Sequence, residues 1–239
     1  MNSMARRRRA LMTSGGKTYP MTWEGLFDAI DDGNYKKAFK IGDEIPTAIT
    51  GTSTPMVMQI AAFDADANAD TGDPVPVTLI CKNLWNKRRY NPGYVANTSG
   101  TGTLGGFDAS EVYAYLVNTF YPALPSAVKA RIIPVKKYTK VIKADTETAQ
   151  NDFETTETVW IPSRREVYGS TETMGPIYSE LFPTNASRRK FTTSAGQGAW
   201  WLRTAETTLK EFAVSFGDGS GTTAGVTNLY WVVPCFCVG

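Results

Sequence analysis

Histidine is absent from this 239-residue sequence, and cysteine occurs only three times. The lack of histidine removes every Ser-His-Asp or Cys-His arrangement, together with the commonest general base and zinc ligand. Cys235 and Cys237 are one residue apart and Cys81 is remote in sequence, so neither a four-cysteine zinc site nor a two-residue-spaced redox pair can form. We therefore predict a protein that is not an enzyme and uses no metal or cofactor, with its cysteines buried and reduced.

Long hydrophobic runs are also absent. No apolar stretch approaches the roughly 20 residues that a helix needs to cross a bilayer, and the apolar residues 10–12 are too few for a signal-peptide core. We therefore predict neither membrane insertion nor secretion by the usual route. A composition of 42% hydrophobic and 20% charged residues is instead that of one globular domain.

Charge is distributed unevenly along the chain. The first twenty residues contain no acidic residue and five basic ones, which are Arg6, Arg7, Arg8, Arg9 and Lys17. The remainder is mildly acidic, whereas a nucleic-acid-binding domain would carry a basic patch on the fold itself, so we do not expect a nucleic-acid partner. We predict a basic flexible arm over residues 1–20, which docks onto a partner, and one folded domain over residues 21–239.

Apolar periodicity indicates an α+β fold with short antiparallel strands, two or three helices and long loops. Thr22 is placed to cap a short amphipathic helix, and Asp108 with Glu111 resembles a capping box that starts a second helix, which Pro122 would end. Residues 38–80 alternate short β-branched runs with turn residues, which predicts a β-meander. Near the C-terminus, glycine-rich turns separate apolar runs and predict antiparallel hairpins.

Two polar segments interrupt this pattern. Residues 83–107 are glycine-rich and aperiodic, which predicts a long surface loop of the kind in which ligand contacts concentrate. The basic run at residues 188–190 is predicted to be a solvated loop, and the alternative is an anion site.

An acidic segment lies between two predicted strands. Its alternating polar residues are Asp64, Asp66, Asn68, Asp70 and Asp73. We interpret it as a solvated turn, because the EF-hand pattern is not met, and a calcium site at Asp64, Asp66 and Asp70 is the alternative.

The closing segment carries a resemblance. Ala199-Trp-Trp-Leu-Arg203 followed by Val232-Val-Pro234, with Phe107-Asp-Ala-Ser-Glu111 and Trp160-Ile-Pro-Ser163 earlier, resembles a domain-of-unknown-function family of Gram-positive surface proteins and prophage tail or fibre proteins. The resemblance covers roughly residues 22 to 238. Val233 stands where that family has an arginine, which puts any ion pair made there in doubt.

That family is distantly similar to C-type-lectin-like domains, which include phage receptor-binding proteins of the tropism-determinant type and the formylglycine-generating enzymes. The resemblance therefore implies a C-type-lectin-like fold and a binding function, because the cysteines do not sit where the copper-binding pair of the enzymes would be expected. It also implies that the paired tryptophans lie in the core. Adjacent strand residues point to opposite faces, so at most one of Trp200 and Trp201 can stack on a sugar from a given side, and Arg203 is expected to be a buried hydrogen-bonding anchor.

These observations predict a ligand surface made by the 83–107 loop, the hairpin at residues 217–227 and the edge of the Trp201 strand. Tyr90 and Tyr94 are expected at loop tips, where truncation would spare the fold. The predicted ligand-binding residues are Asn86, Arg89, Tyr90, Tyr94, Trp201, Asp218 and Asn228.

The leading functional hypothesis is a phage virion surface protein, made in the host cytoplasm, that displays its body for binding a bacterial surface glycan or protein. Its arm would dock onto other virion proteins, and we expect a homo-oligomer. The alternative is a structural virion protein, such as a capsid decoration, head fibre or baseplate subunit, that makes only protein–protein contacts. An enzyme of the sulfatase-modifying type is the least favoured hypothesis.

Overall fold

The computed structural model describes residues 12–14, 16–53, 56–91, 106–142, 148–194, 196–206 and 211–239. The fold is α+β, as predicted. Its helices are α1 (Trp23–Asp31), α2 (Tyr35–Ala38), α3 (Glu111–Tyr115), α4 (Tyr121–Ala123), α5 (Ser126–Lys129), α6 (Arg164–Tyr168) and α7 (Asn185–Arg188), with a 3₁₀ turn over Phe107–Ala109 and a π-helical turn over Leu116–Phe120.

The strands are short and mostly antiparallel. They are β1 (Met12–Ser14), β2 (Lys17–Tyr19), β3 (Glu44–Thr47), β4 (Met56–Phe63), β5 (Val77–Cys81), β6 (Trp85–Arg88), β7 (Val135–Ile142), β8 (Ala149–Glu157), β9 (Trp200–Ala205), β10 (Glu211–Ser215), β11 (Gly221–Gly225), β12 (Tyr230–Val232) and β13 (Cys235–Val238). The strand order is β11-β10-β9-β12-β6 in one sheet and β13-β5-β4-β3 in another, and β1-β2 and β7-β8 form separate hairpins.

The predicted β-meander is confirmed as β3-β4-β5, where each strand pairs with the next in antiparallel register. The final strand β13 completes this sheet by pairing with β5. The two residues Val233 and Pro234 carry the chain from β12 in the five-stranded sheet to β13 in the four-stranded sheet. The last ten residues of the chain therefore contribute a strand to each sheet.

The helix predictions were right in place but not in every boundary. Thr22 caps α1 by accepting a hydrogen bond from the Gly25 amide, as predicted. The second helix is capped by Ser110, whose hydroxyl accepts from the Tyr113 amide, so the prediction of Asp108 as the cap is wrong. The helical backbone ends at Ala123, one residue after Pro122, so the predicted break at this proline is confirmed to within one residue.

The segment predicted as an arm contributes to the core near its end. Tyr19 is buried, and its hydroxyl donates to Asp32 at 2.7 Å. Lys17 on the same strand donates to Asp32 at 2.5 Å. The arginines of the predicted arm, Arg6, Arg7, Arg8 and Arg9, lie outside the described residues.

A buried ion cluster, made by Asp66, Lys137, Glu166 and Arg203, connects the acidic segment with β7, α6 and β9. Lys137 on β7 contacts Asp66 and Glu166, and Arg203 on β9 holds both oxygens of Glu166 at 2.6 and 2.9 Å. Burial alone would raise the pKa of Glu166, but Arg203 and Lys137 lower it to about 2. Each of the two cations thus has a carboxylate partner away from water, which is the condition under which buried charges are tolerated.

The ion cluster changes the interpretation of the acidic segment. Asp66 is buried, so the prediction of a wholly solvated turn is wrong at this residue. Asp64 accepts from the hydroxyl of Tyr35 at 2.5 Å, and Asn68 caps the turn by accepting from the Asp70 amide at 2.8 Å. Within the described part of the chain, no group of three or more acidic or cysteine side chains could hold a metal ion.

Candidate functional site

Strand β6 forms one edge of the five-stranded sheet. It pairs with β12 on one side, with Tyr230 opposite Arg88 and Trp231 opposite Lys87, and among the described residues no strand pairs with its other side. Because successive side chains on a strand point to opposite faces, Lys87 lies on one face, and Asn86 and Arg88 lie on the other. The strand therefore presents two different surfaces at a free sheet edge.

The first face joins a cation to an indole ring. Lys87 is exposed, and its Nζ lies 5.1 Å from the ring centroid of the half-buried Trp231. Trp231 packs against Gly198 so closely that a Cβ atom there would lie 2.5 Å from the indole nitrogen. Position 198 therefore requires glycine. The close packing of Gly198 on the indole holds Trp231 beneath Lys87.

On the second face, two side chains of β6 contact Tyr115 of α3. The Asn86 side chain donates to the Tyr115 hydroxyl at 2.6 Å, and the Arg88 guanidinium lies 4.2 Å from the centroid of the same ring. Tyr230 packs edge-on against Trp201, with centroids 5.0 Å apart. These contacts fix Arg88 against the body.

The turn between β11 and β12 extends this surface. The amides of Tyr90 and Asn91 both donate to the Val226 carbonyl, at 2.9 and 3.1 Å, which fixes the turn beside the end of β6. Arg89, Asn228 and Leu229 are all exposed here, and Leu229 is 54% exposed. We define the β6 edge patch as Lys87, Arg89, Asn228, Leu229 and Trp231, and Asn86 lies on the opposite face of the same strand.

The electrostatics of the patch are one-sided. It contains two exposed cations, Lys87 and Arg89, and no acidic residue. Within the part of the chain that the structure describes, neither cation has a carboxylate within ion-pair distance, and nearby Arg88 lies against the ring of Tyr115. Exposed cations without ion-pair partners, next to an amide and an indole edge, can bind an anionic or hydroxyl-rich ligand.

The structure separates the predicted ligand residues. Arg89 and Asn228 lie at the same end of the β6–β12 pair, whereas Asn86 lies on the other face of β6, where it donates to Tyr115. Asp218 lies in the turn before β11 and Asn228 in the turn after it, so the five residues of β11 place them about 17 Å apart along the strand direction. Tyr94 lies outside the described residues.

Tyr90 and Trp201 are core residues. The expectation that Tyr90 lies at a loop tip is wrong, because its ring is fully buried and stacks on Phe212 with centroids 3.7 Å apart. Trp201 is also fully buried, and its indole nitrogen donates to the Arg88 carbonyl at 2.9 Å, which leaves no ring face for a sugar. The error arises because residues 85–88 of the predicted 83–107 loop form strand β6, and Tyr90, two residues after that strand, lies in the core.

The burial of the tryptophan pair agrees with the expectation that Trp200 and Trp201 serve mainly structure. Arg203 is confirmed as a buried anchor, with five hydrogen bonds that its guanidinium donates to β7, α6 and the Ile161 carbonyl. Cys81, Cys235 and Cys237 are buried and not disulfide-bonded, as predicted.

The prediction of a solvated loop at residues 188–190 is wrong at its last residue. Lys190 is buried, and its Nζ donates to the Cys81 carbonyl at 2.7 Å and to the Lys82 carbonyl at 3.2 Å. Burial lowers the pKa of Lys190 to about 8. A second basic run, Lys87-Arg88-Arg89, lies between Trp85 and Tyr90 and was not predicted as a binding segment. Its combination of cations and aromatic residues is the sequence feature from which the patch could have been predicted.

A protein-family model described as a domain of unknown function (DUF6273) matches residues 77–239, which is more than half of the chain. The chain belongs to the DUF6273 family. The DUF6273 match begins at the first residue of β5 and includes the whole β6 edge patch, whereas Asp66 and the strands β1 to β4 precede it. Neither the curated proteins nor the solved structures gave a match to this chain. No helix in the described ranges is both long and apolar enough to cross a membrane.

Proposed function

We propose that this chain is a non-enzymatic surface protein of a phage particle that binds a negatively charged glycan of the bacterial surface through the β6 edge patch. The observation that carries the proposal is the pair of exposed cations, Lys87 and Arg89, that have no carboxylate partner among the described residues and are flanked by the exposed Asn228 and by Trp231. The proposed location is the virion, with the basic arm docked onto other virion proteins.

A C-type-lectin-like body is part of the proposal. Its support is the position of the Trp-Trp-Leu-Arg segment in β9, which lies between β10 and β12 inside the five-stranded sheet, and the close of the chain in β13 of the other sheet. In this arrangement the aromatic rings of β9 lie in the core, so a ligand would contact strand edges and connecting turns. The β6 edge patch is such an edge with such a turn.

The composition of the patch favours a glycan as the ligand. The amide of Asn228 can donate to and accept from hydroxyl groups, and the half-buried indole of Trp231 offers an apolar edge. Lys87 and Arg89 would pair with phosphate or carboxylate groups on the same polymer. One patch of this size binds weakly, so several copies in a homo-oligomer on one particle would supply avidity.

The test measures binding of the purified full chain to cell walls of Gram-positive bacteria. We expect Lys87→Ala/Arg89→Ala to lower affinity at least tenfold, because each lost charge-assisted contact is worth about 1.5 kcal/mol or more and tenfold corresponds to about 1.4 kcal/mol. The matched control is Lys37→Ala/Lys40→Ala, which removes the same charge from two exposed lysines outside the patch and should bind as the wild type does.

Two treatments of the cells separate the alternatives. Periodate oxidation of the glycan should abolish binding, whereas protease treatment should leave it. Loss of binding after protease alone would indicate a protein receptor. If the wild-type chain binds no cell wall while particles carrying Lys87→Ala/Arg89→Ala fail to assemble, the structural virion alternative replaces the recognition function.

A further inference from the structure

The contact between Lys137 and Asp66 is the most deeply buried ion pair in the described part of the chain. Both side chains are 0% exposed, and the Lys137 Nζ lies 2.5 Å from the Asp66 Oδ1. The same Nζ lies 3.8 Å from the ring centroid of Trp160. An amine and a carboxyl group are thus held in contact in a space that excludes bulk water.

The two oxygens of Asp66 have different environments. Oδ2 accepts hydrogen bonds from the Thr78 hydroxyl at 2.6 Å and from the Tyr178 hydroxyl at 3.0 Å. Oδ1 accepts from Lys137. If nitrogen attacked the carboxyl carbon, negative charge would develop on Oδ2, where two donors already converge as they do in an oxyanion hole, while Oδ1 would be the leaving oxygen.

Glu166 holds the Lys137 amine beside Asp66. Its Oε1 accepts from the Lys137 Nζ at 2.9 Å, while Arg203 fixes the carboxylate from the opposite side. This carboxylate stays ionised and orients the amine, while the protons that leave with Oδ1 pass directly across the Nζ–Oδ1 contact.

We propose that Lys137 and Asp66 condense to form an isopeptide bond. The bond between Nζ and the Asp66 carboxyl carbon forms, the bond between that carbon and Oδ1 breaks, and Oδ1 leaves as water with two of the three ammonium protons. The third proton stays on the amide nitrogen, which donates to Glu166 Oε1. The step is a redox-neutral condensation that needs no co-reactant.

The resting pair begins in the ionised form. Burial disfavours the ammonium, but Asp66 and Glu166 raise the pKa of Lys137 above its ordinary value. The reaction therefore starts with proton transfer across the 2.5 Å contact to Oδ1, which gives a neutral amine and a neutral acid, and the exclusion of bulk water lowers the cost of this transfer. One event per chain suffices, and fixed proximity makes a slow step attainable.

The chain provides an internal control for burial. Lys17 and Asp32 are also 2.5 Å apart, but their side chains are 52% and 36% exposed. Water keeps that pair ionised and would hydrolyse an activated intermediate. The proposal predicts a cross-link at the buried pair and none at the exposed pair.

The test is the intact mass of the denatured full chain, followed by proteolysis and tandem mass spectrometry. We expect a mass one water molecule below that of the sequence and a branched peptide joining Lys137 to Asp66. A mass equal to that of the sequence overturns the proposal, and so does a water loss that maps elsewhere, for instance to a succinimide at Asp218-Gly219.

A variant tests the same step from the lysine side. Lys137→Arg keeps the positive charge but offers no nucleophilic amine, so the folded variant should have the full mass of its sequence. A water loss retained in this variant would contradict the assignment. If Lys137→Arg does not fold, the peptide map of the wild-type chain decides alone.

Discussion

Two lysines of this protein, Lys137 and Lys87, each lie over an indole ring, and their surroundings differ. In the ion cluster, Lys137 and Arg203 are buried, and each contacts the carboxylate of Glu166. In the β6 edge patch, Lys87 lies over Trp231 in solvent, and no described carboxylate is paired with it. Burial makes pairing obligatory, because an isolated charge away from water is very unfavourable, whereas an exposed cation can stay unpaired and available to a ligand.

The largest expected effect comes from breaking the buried group. Arg203→Met removes the guanidinium that donates to both oxygens of Glu166, and with it the hydrogen bonds to Thr139 and the Ile161 carbonyl. Removing one partner of a buried pair typically costs about 3–5 kcal/mol. Chemical denaturation should show a decrease of this size in the free energy of unfolding.

The matched comparison for this prediction is Arg88→Met, which removes the guanidinium that stacks on Tyr115 near the patch. Its expected cost is below about 1 kcal/mol, because no buried charge is left unpaired. Equal losses in the two variants would show that burial does not set the difference between the two groups.

A smaller effect is expected at a buried carboxylate that has no ion-pair partner in the described ranges of the chain. Glu157 is buried, its Oε2 has no hydrogen-bond partner among the described residues, and burial raises its pKa to about 7 from an ordinary 4.5. Between these pH values the folded state binds more protons than the unfolded state, so stability falls as pH rises. The full loss, reached above the folded pKa, is roughly 3 kcal/mol at 1.36 kcal/mol per pKa unit.

Glu157→Gln removes this titration. Urea unfolding at pH 5 and pH 8 should show that the variant loses less stability than the wild type between the two values, and that it is the more stable protein at pH 8. A wild type that gains stability from pH 5 to pH 8, with the gain unchanged in Glu157→Gln, would contradict the assignment.

The smallest expected effect on stability comes from the exposed group. Lys87→Ala and Arg89→Ala should each change the free energy of unfolding by less than about 0.5 kcal/mol, because neither residue has an ion-pair partner among the described residues. Denaturation curves that overlay those of the wild type would confirm this. A loss comparable to that of Arg203→Met would make the patch a structural element.

The sequence predicted those elements whose signals are local. The helix at α1 has its cap at Thr22 and its apolar face within the next nine residues, and the meander β3-β4-β5 joins strands that are neighbours in the chain. Such contacts can be recognised from turn residues and side-chain periodicity. The α+β class followed from the same signals.

The features that escaped prediction depend on distant residues. Strand β6 pairs with β12, whose residues lie at positions 230–232, so residues 85–88 look like part of a polar loop until that partner is present. The local sequence predicts that Asp66 and Lys190 are solvated, but both are buried. Asp66 pairs with Lys137, and Lys190 donates to the carbonyl groups of Cys81 and Lys82. Local composition carries no information on such pairs.

The most direct test of the ligand-binding role of the β6 edge patch is the affinity of Lys87→Glu/Arg89→Glu for cell walls, measured on samples whose unfolding midpoints match that of the wild type. Charge reversal should abolish binding at physiological ionic strength, because the patch would then repel an anionic polymer. Unchanged affinity in this folded variant would contradict the assignment of the β6 edge patch as the recognition surface.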